Sequence, residues 1–132
     1  MNPAMQAIIS KFETSEHWKT YGVRCLNCSP EQVILELPYQ EMFANVRGMI
    51  HGGVMMSLMD TAMGMHGVAL GHAEVMTISL QTNFVQGAKE ERLIAKTSLV
   101  TETRSTALLQ CHLTNDQDEL IAFANATFRT LG

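Results

Sequence analysis

The sequence predicts an α+β domain in which an antiparallel sheet wraps around one long central helix. Three observations lead to this fold class. Residues 53–70, near the middle of the 132-residue chain, are apolar enough for a buried helix. The segments on both sides of them alternate polar and apolar residues, as strands do. Two strands precede the helix and four follow it, and this order favours one antiparallel sheet packed on the helix.

The chain begins with a predicted helical segment, residues 1–20. Its apolar residues recur at the spacing of a short amphipathic helix, at Met5, Ile8, Ile9 and Phe12. The segment lacks the basic start and long apolar core of a signal peptide. Two strands are predicted next, at residues 21–28 and 32–37, with a turn at Ser29-Pro30 between them and Pro38 after the second.

A loop over residues 39–48 carries Asn45 and leads into the central helix, for which Gly71 supplies a stop. The period then changes from helical to two. In the first of the four later strands, apolar residues are expected on one face and Thr77 on the other; these apolar residues are Met76, Ile78, Leu80 and Phe84. The remaining strands are predicted to begin near residues 93, 107 and 120. The 132 residues thus read as a single domain.

Composition excludes several classes of protein. The net charge is -4 and no lysine- or arginine-rich run occurs, which argues against a nucleic-acid-binding protein. Polar residues interrupt every apolar stretch before it reaches the length of a membrane span.

Three cysteines suit a reducing compartment, and we expect a cytoplasmic protein. The Cys25-x2-Cys28 pair is isolated and lies on a predicted strand, where positions three apart face opposite sides, so no metal site is predicted. The other histidines lack ligand spacing and are assigned surface or partly buried positions; they are His17, His66, His72 and His112.

The most informative motif reads N-x2-G-x2-H-G-G-x6-D, from Asn45 to Asp60. Asp60 is the only side chain ionised at neutral pH between residues 48 and 73, and it lies among methionines. Because a carboxylate in apolar surroundings costs free energy, this position predicts a function.

Gly52 and Gly53 occupy the expected start of the central helix. A helix start leaves backbone N–H groups free and carries the positive end of the macrodipole, so it can stabilise the oxyanion of acyl transfer. Glycine lets a substrate approach the backbone closely. Asp60 lies ~12 Å further along the helix at about 1.5 Å per residue. Two helices packed antiparallel about a two-fold axis would bring the two groups together, which predicts a homo-oligomer with a shared site.

The chain resembles a known family. The resemblance depends on the spacing of Asn45, Gly48, the His51-Gly52-Gly53 triplet and Asp60, with supporting similarity over residues 77–88. This family is the hotdog-fold acyl-CoA thioesterases of the phenylacetic-acid-degradation type, and the resemblance covers about residues 21–129. It implies hydrolysis of an acyl- or aryl-acyl-CoA thioester by a dimer or tetramer, with no metal or bound cofactor, since coenzyme A is part of the substrate.

The resemblance also implies roles for individual residues. Asp60 is the catalytic carboxylate, and the Gly52 N–H polarises the thioester carbonyl. Asn45 orients the carboxylate or the attacking water across the dimer interface, and Thr77 holds the water through its hydroxyl. Asp60 can act as a general base or as a nucleophile that forms an anhydride, and the sequence leaves both mechanisms open.

Further residues are candidates for substrate binding. Those near the acyl group are His51, Gly53, Met56 and Met59, and those near the phosphates of coenzyme A are Lys89, Arg92, Arg104 and Ser105. Arg104-Ser105 is expected to begin a strand. Each of these residues also has a structural alternative. Asn45 could form a turn, the glycines could form a tight loop, His51 could brace that loop, and Asp60 could form an ion pair with Arg47. The methionines could fill the core, and the cations could be solvated at the surface.

Other functions fit this fold class. A non-catalytic acyl-CoA-binding or regulatory module would bind tightly without turnover. A hotdog hydratase would need an Asp–His dyad in a different loop, which the sequence lacks. A serine-hydrolase thioesterase would need a G-x-S-x-G elbow, which is also missing. The motif around Asp60 therefore favours the thioesterase.

Overall fold

The computed structural model describes residues 2–132 and confirms the α+β class. Helix α3 (Gly52–Ala69) lies against an antiparallel sheet of six strands and contacts every one of them. In chain order the strands are β1 (Arg24–Cys28), β2 (Val33–Leu37), β3 (Glu74–Phe84), β4 (Leu93–Glu102), β5 (Thr106–Thr114) and β6 (Leu120–Leu131). Across the sheet the order is β1-β2-β4-β5-β6-β3. This sheet wrapped around a central helix is the predicted hotdog arrangement.

The N-terminal segment forms two helices where the sequence pattern predicted one. They are α1 (Pro3–Glu13) and α2 (Glu16–Tyr21), and α1 packs on α3. The prediction that Tyr21 begins the first strand is wrong. Ser15 caps α2 through its side chain, and Gly22, at φ 72°, ends the helix in the left-handed conformation that favours glycine. The first strand therefore starts only at Arg24.

Helix α3 is buried around most of its circumference, which explains its nearly continuous apolar sequence. Its fully buried residues include Leu58, Met59, Ala62, Met63 and Met65. Most of the methionines in the helix are thus core residues, as the structural alternative proposed. No helix in residues 2–132 is long and apolar enough to cross a membrane.

His66 is fully buried in α3, so the surface or partly buried position expected for it is wrong. Its Nε2 donates to the carbonyl oxygen of Pro30 at 2.8 Å, and its Nδ1 lies 2.8 Å from the Thr97 hydroxyl. Burial lowers the pKa of His66, so the ring is held neutral. The two bonds attach the last turn of the helix to β4 and to the turn before β2. The local sequence carries no sign of these distant partners.

Strand β3 forms one edge of the sheet and pairs only with β6 in the described chain. The register shifts between Thr77 and Ser79, which leaves Ile78 as a bulge. Thr77 lies opposite Phe128, whose side chain is buried against the helix, so Thr77 also points inward. The expected apolar face of Met76, Ile78, Leu80 and Phe84 is therefore wrong, because the bulge reverses the alternation. Met76 and Ile78 are 58% and 59% exposed.

Candidate active site

The loop before α3 is organised by Asn45. Its side-chain oxygen accepts hydrogen bonds from the N–H groups of Arg47, at 2.8 Å, and Met49, at 3.1 Å. Its backbone N–H donates to the Met49 carbonyl at 2.7 Å, and Gly48 turns the chain at φ 76°. The oxygen of Asn45 thus has the turn role described as the structural alternative. The amide nitrogen of Asn45 has no partner in residues 2–132 and stays available as a donor.

The start of α3 has no side-chain cap. His51 is the N-cap residue, but only its backbone forms hydrogen bonds, and its N–H donates to the Phe43 carbonyl at 2.8 Å. Within the described chain, the N–H groups of Gly52 and Gly53 have no acceptor. A Cβ on Gly52 would lie 2.9 Å from the Phe84 ring, so glycine lets this ring lie close to the helix start. The uncapped helix start can therefore receive an oxygen that carries negative charge.

Asp60 and Thr77 form a direct pair. The Thr77 hydroxyl donates to one carboxylate oxygen of Asp60 at 2.8 Å. Asp60 is half-buried and makes no ion pair in the part of the chain that the structure describes, with Arg47 or any other cation. The bond orients the carboxylate and leaves its second oxygen free to act on a substrate or a water molecule.

A cavity of about 530 Å³ opens over Asp60 and Thr77. Helix α3 contributes Ser57, Thr61 and Gly64 to its lining, and strands β3 and β6 contribute Val75 and Phe128. The N-terminal helices complete it with residues that include Phe12 and Trp18. The sequence pattern indicated only that Phe12 belongs to a helix, because the contact that brings α1 beside Asp60 is non-local. The volume lies in the range of about 300–1,000 Å³ typical of small-molecule sites.

The predicted residues fall into two groups at different points along α3. Asn45, His51, Gly52 and Gly53 surround the helix start, whereas Asp60 and Thr77 lie roughly two turns further on. Eight residues of helix separate Gly52 from Asp60 by ~12 Å. One chain therefore does not bring the oxyanion donors and the carboxylate to the same atom.

The other predicted contacts are dispersed. Met59 is buried in the core and Met56 is half-buried, and neither lines the cavity over Asp60. Lys89 lies with Arg47 and Gly48 in a separate depression. The guanidinium of Arg92 is paired with Glu36 and Asp116, so its donors are already engaged.

Arg104 and Ser105 are exposed in the turn between β4 and β5, because β5 starts at Thr106. The expectation that they begin a strand is wrong. The Ser105 carbonyl accepts the Thr130 N–H at 2.9 Å, which fixes this turn against β6. Arg104 has no acidic partner in residues 2–132, so its charge is free at the surface.

The three cysteines are poor nucleophiles in this fold. Burial raises the pKa of Cys25 to about 11 and that of Cys111 to about 12, and it also raises the pKa of Cys28. All three thiols are therefore protonated near neutral pH. None of the three thiols lines the cavity over Asp60.

The sequence profile of the thioesterase superfamily matches residues 47–122, which is more than half of the chain and includes Gly52, Asp60 and Thr77. The chain belongs to the thioesterase superfamily. This membership confirms the resemblance to hotdog acyl-CoA thioesterases and places the chain in a family of thioester hydrolases.

Individual relatives of this thioesterase-family chain are distant in sequence. Protein SSO2140 of Saccharolobus solfataricus, which is named as an esterase, is 28% identical to this chain over 88 residues. These residues make up 65% of this chain and 63% of that protein. The chain thus spans less than two thirds of the length of this curated relative.

Solved structures share the fold of this thioesterase-family chain. The PaaI protein from the phenylacetic acid degradation operon of E. coli has a TM-score of 0.90 at 18% identity and covers 98% of this chain and 94% of its own. The smu.793 protein of Streptococcus mutans, bound to acetyl-CoA, has a TM-score of 0.80 at 22% identity, and the match covers 83% of this chain and 89% of that protein's chain. A hypothetical thioesterase of Streptococcus pneumoniae with coenzyme A has the same values.

Proposed function

We propose that this protein is an acyl-CoA thioesterase that hydrolyses acyl- or aryl-acyl-CoA thioesters to a free acid and coenzyme A. The observation that carries the proposal is Asp60, a half-buried carboxylate without an ion-pair partner in the described chain, oriented by Thr77 at a cavity of about 530 Å³. An ion pair therefore does not account for this carboxylate, which favours a functional role. The acetyl-CoA and coenzyme A bound by two structural relatives support a coenzyme A thioester as the substrate.

The active unit in this proposal is a homodimer. Strand β3 is a sheet edge of 11 residues, and its exposed apolar side chains, Met76 and Ile78, are unusual for an edge that faces only water. Pairing of two β3 strands about a two-fold axis would join the sheets and cover these side chains. It would also set the two α3 helices antiparallel, with the Gly52 end of one near Asp60 of the other. A tetramer made of two such dimers stays a further prediction.

The chemistry follows from this arrangement. As a general base, Asp60 takes a proton from a water molecule, whose oxygen attacks the thioester carbonyl carbon. The negative charge that forms on the carbonyl oxygen is stabilised by the N–H of Gly52 in the partner subunit. The C–S bond then breaks, and the thiolate of coenzyme A leaves and takes up a proton. As a nucleophile, Asp60 would instead attack the carbonyl carbon itself, and water would hydrolyse the resulting anhydride.

The remaining predicted residues keep supporting roles in the proposal. The unpartnered amide nitrogen of Asn45 is a donor that can reach a carboxylate or a water molecule across the two-fold axis. Lys89 and Arg104 are the available cations for the phosphates of coenzyme A, since Arg92 is already paired with Glu36 and Asp116.

Release of free thiol from a panel of acyl-CoA and aryl-CoA thioesters tests the proposal. Asp60→Asn and Asp60→Ala are compared with the wild type, and Asp118→Asn makes the same chemical change in the exposed β5–β6 turn as a control. Loss of a general base lowers kcat by about 10²–10⁴, whereas the control keeps its rate. Full rate in the Asp60 variants refutes the role of this carboxylate. A wild type that binds these thioesters without turnover is a regulatory module instead.

The two mechanisms differ in a covalent intermediate. Rapid acid quenching followed by mass spectrometry of the peptide that contains Asp60 distinguishes them. An added mass equal to the acyl group identifies the anhydride, and an unmodified peptide during steady turnover supports general-base attack by water.

A further inference from the structure

Gly64 lies one helical turn beyond Asp60, on the same face of α3, and lines the same cavity. A glycine inside a helix is less favourable than alanine, because glycine loses more conformational freedom on folding. Its presence at a buried position of an 18-residue helix therefore needs a reason.

Packing does not supply that reason. A Cβ on Gly64 would lie 3.6 Å from Phe128 and 3.9 Å from Val75, which are ordinary van der Waals distances. Gly67, on the next turn, differs, because a Cβ there would stand 2.9 Å from a Val75 methyl carbon. Gly67 is thus required by close packing against β3, whereas an alanine would fit at position 64. The space that Gly64 leaves open belongs to the cavity.

The N-terminal helices supply another wall of this cavity. Phe12 of α1 is half-buried there, and its ring lies edge-to-face against Trp18 of α2, with ring centroids 6.4 Å apart. The family match starts only at residue 47, so these helices lie outside the segment that the profile describes. Trp18 holds Phe12 in place and is itself buried. Of these two aromatic side chains, Phe12 is therefore the one that a substitution can shorten with less damage to the core.

We propose that Gly64 and Phe12 determine the size of the acyl group that the site accepts. Gly64 keeps the cavity deep beside Asp60, and Phe12 limits it on the side of the N-terminal helices. This inference rests on the proposed thioesterase function, because it assumes that the acyl group enters the cavity over Asp60. Substitutions at the two positions are expected to act in opposite directions.

A series of straight-chain acyl-CoA thioesters, from acetyl to palmitoyl, tests this inference. In Gly64→Ala, the ratio of kcat/KM for the best long substrate to that for acetyl-CoA falls by about tenfold or more, since one methyl group in a tight pocket changes discrimination by about 10–200-fold. In Phe12→Ala the optimum moves to longer chains. The double variant returns toward the wild-type optimum, because each change compensates for the other. Lys19→Ala, on α2 but outside the cavity, is the matched control and keeps the wild-type profile.

Thermal unfolding separates a specificity role from a structural one. Gly64→Ala melts at the wild-type temperature or a few degrees above it, because alanine favours the helix and fits the space. An unchanged chain-length profile in Gly64→Ala, or a marked drop in its melting temperature, overturns the inference while the thioesterase proposal stands.

If the wild type hydrolyses neither this series nor the aryl-CoA thioesters, the proposed function fails, and calorimetric binding of the straight-chain thioesters decides the inference. A chain-length dependence of binding that is identical in wild type and Gly64→Ala, or no binding at all, overturns it. A selective loss of the longer thioesters in Gly64→Ala supports it.

Discussion

The shared site can be tested by combining two inactive subunits. One variant, Asp60→Ala, lacks the carboxylate. The other, Gly52→Pro, lacks the backbone N–H at the helix start, where proline is well tolerated as the first helical residue. A Cβ at Gly52 meets the Phe84 ring at 2.9 Å, so Gly52→Ala serves as a control that has the same contact but retains the N–H. Phe84 is 51% exposed, which gives its ring room to move.

The expected magnitudes follow from the positions of the two groups. Loss of an oxyanion donor lowers kcat by about 10²–10³, and loss of a general base by about 10²–10⁴. Each homodimeric variant therefore has at most about 1% of wild-type activity. In the proposed dimer each site takes the two groups from different subunits, because ~12 Å of helix separates Gly52 from Asp60 within one chain. A heterodimer of the two variants then has one doubly defective site and one intact site.

The assay uses heterodimers purified with a different affinity tag on each subunit and measures thiol release. The heterodimer is expected to have about half of the wild-type activity per dimer, because one of its two sites is intact. If both groups acted within one chain, every site would carry one defect, and the heterodimer would be as inactive as its parents. That result would refute the shared site without touching the role of Asp60. The Gly52→Ala control shows how much activity the contact with Phe84 alone removes.

Three other predictions address the site, the interface and the core. Thr77→Val removes the 2.8 Å hydrogen bond to Asp60 and is expected to lower kcat about tenfold, as loss of a partly solvated hydrogen bond to a charged group does. Thr77→Ser retains a hydroxyl and keeps most of the rate. Equal rates in the two variants would contradict a role for this hydrogen bond. Ile78→Lys places a charge on the exposed edge of β3 and is expected to yield monomers with less than a tenth of the wild-type activity. Light scattering measures the oligomeric state, and thiol release measures the activity. A fully active monomer would exclude the proposed interface. Burial lowers the pKa of His66 in the folded chain, so the unfolded chain binds the proton first as the pH falls. The contribution of neutral His66 to the free energy of unfolding is therefore fully present above about pH 6.5 and is lost as the pH falls below that value. Urea unfolding should show a loss of up to about 1.4 kcal/mol per pH unit that is absent from His66→Gln, and parallel pH profiles would contradict this assignment.

Local signals in the sequence were enough to predict the fold class and to select Asp60 as the candidate reactive group. The helix around Asp60 and the six strands appeared as changes in hydrophobic period, and these periods depend on which faces are buried. Asp60 was identified because a single carboxylate in a long apolar segment is costly wherever that segment packs. The helix start at Gly52 and Gly53 was similarly predicted, since the glycine pair directly precedes the apolar segment, whereas the absence of a side-chain cap is known only from the structure.

Tertiary structure decided which side chains meet. Thr77 reaches Asp60 because a bulge at Ile78 turns it inward, and a strand pattern of period two has no signal for a bulge. Arg92 is held by Glu36 and Asp116, which are distant in sequence. In the same way, the buried bonds of His66 and the position of Phe12 in the cavity depend on elements that pack together only in the folded chain. Burial and period are local properties that sequence encodes directly, whereas hydrogen-bond partners and cavity walls result from the packing of remote segments.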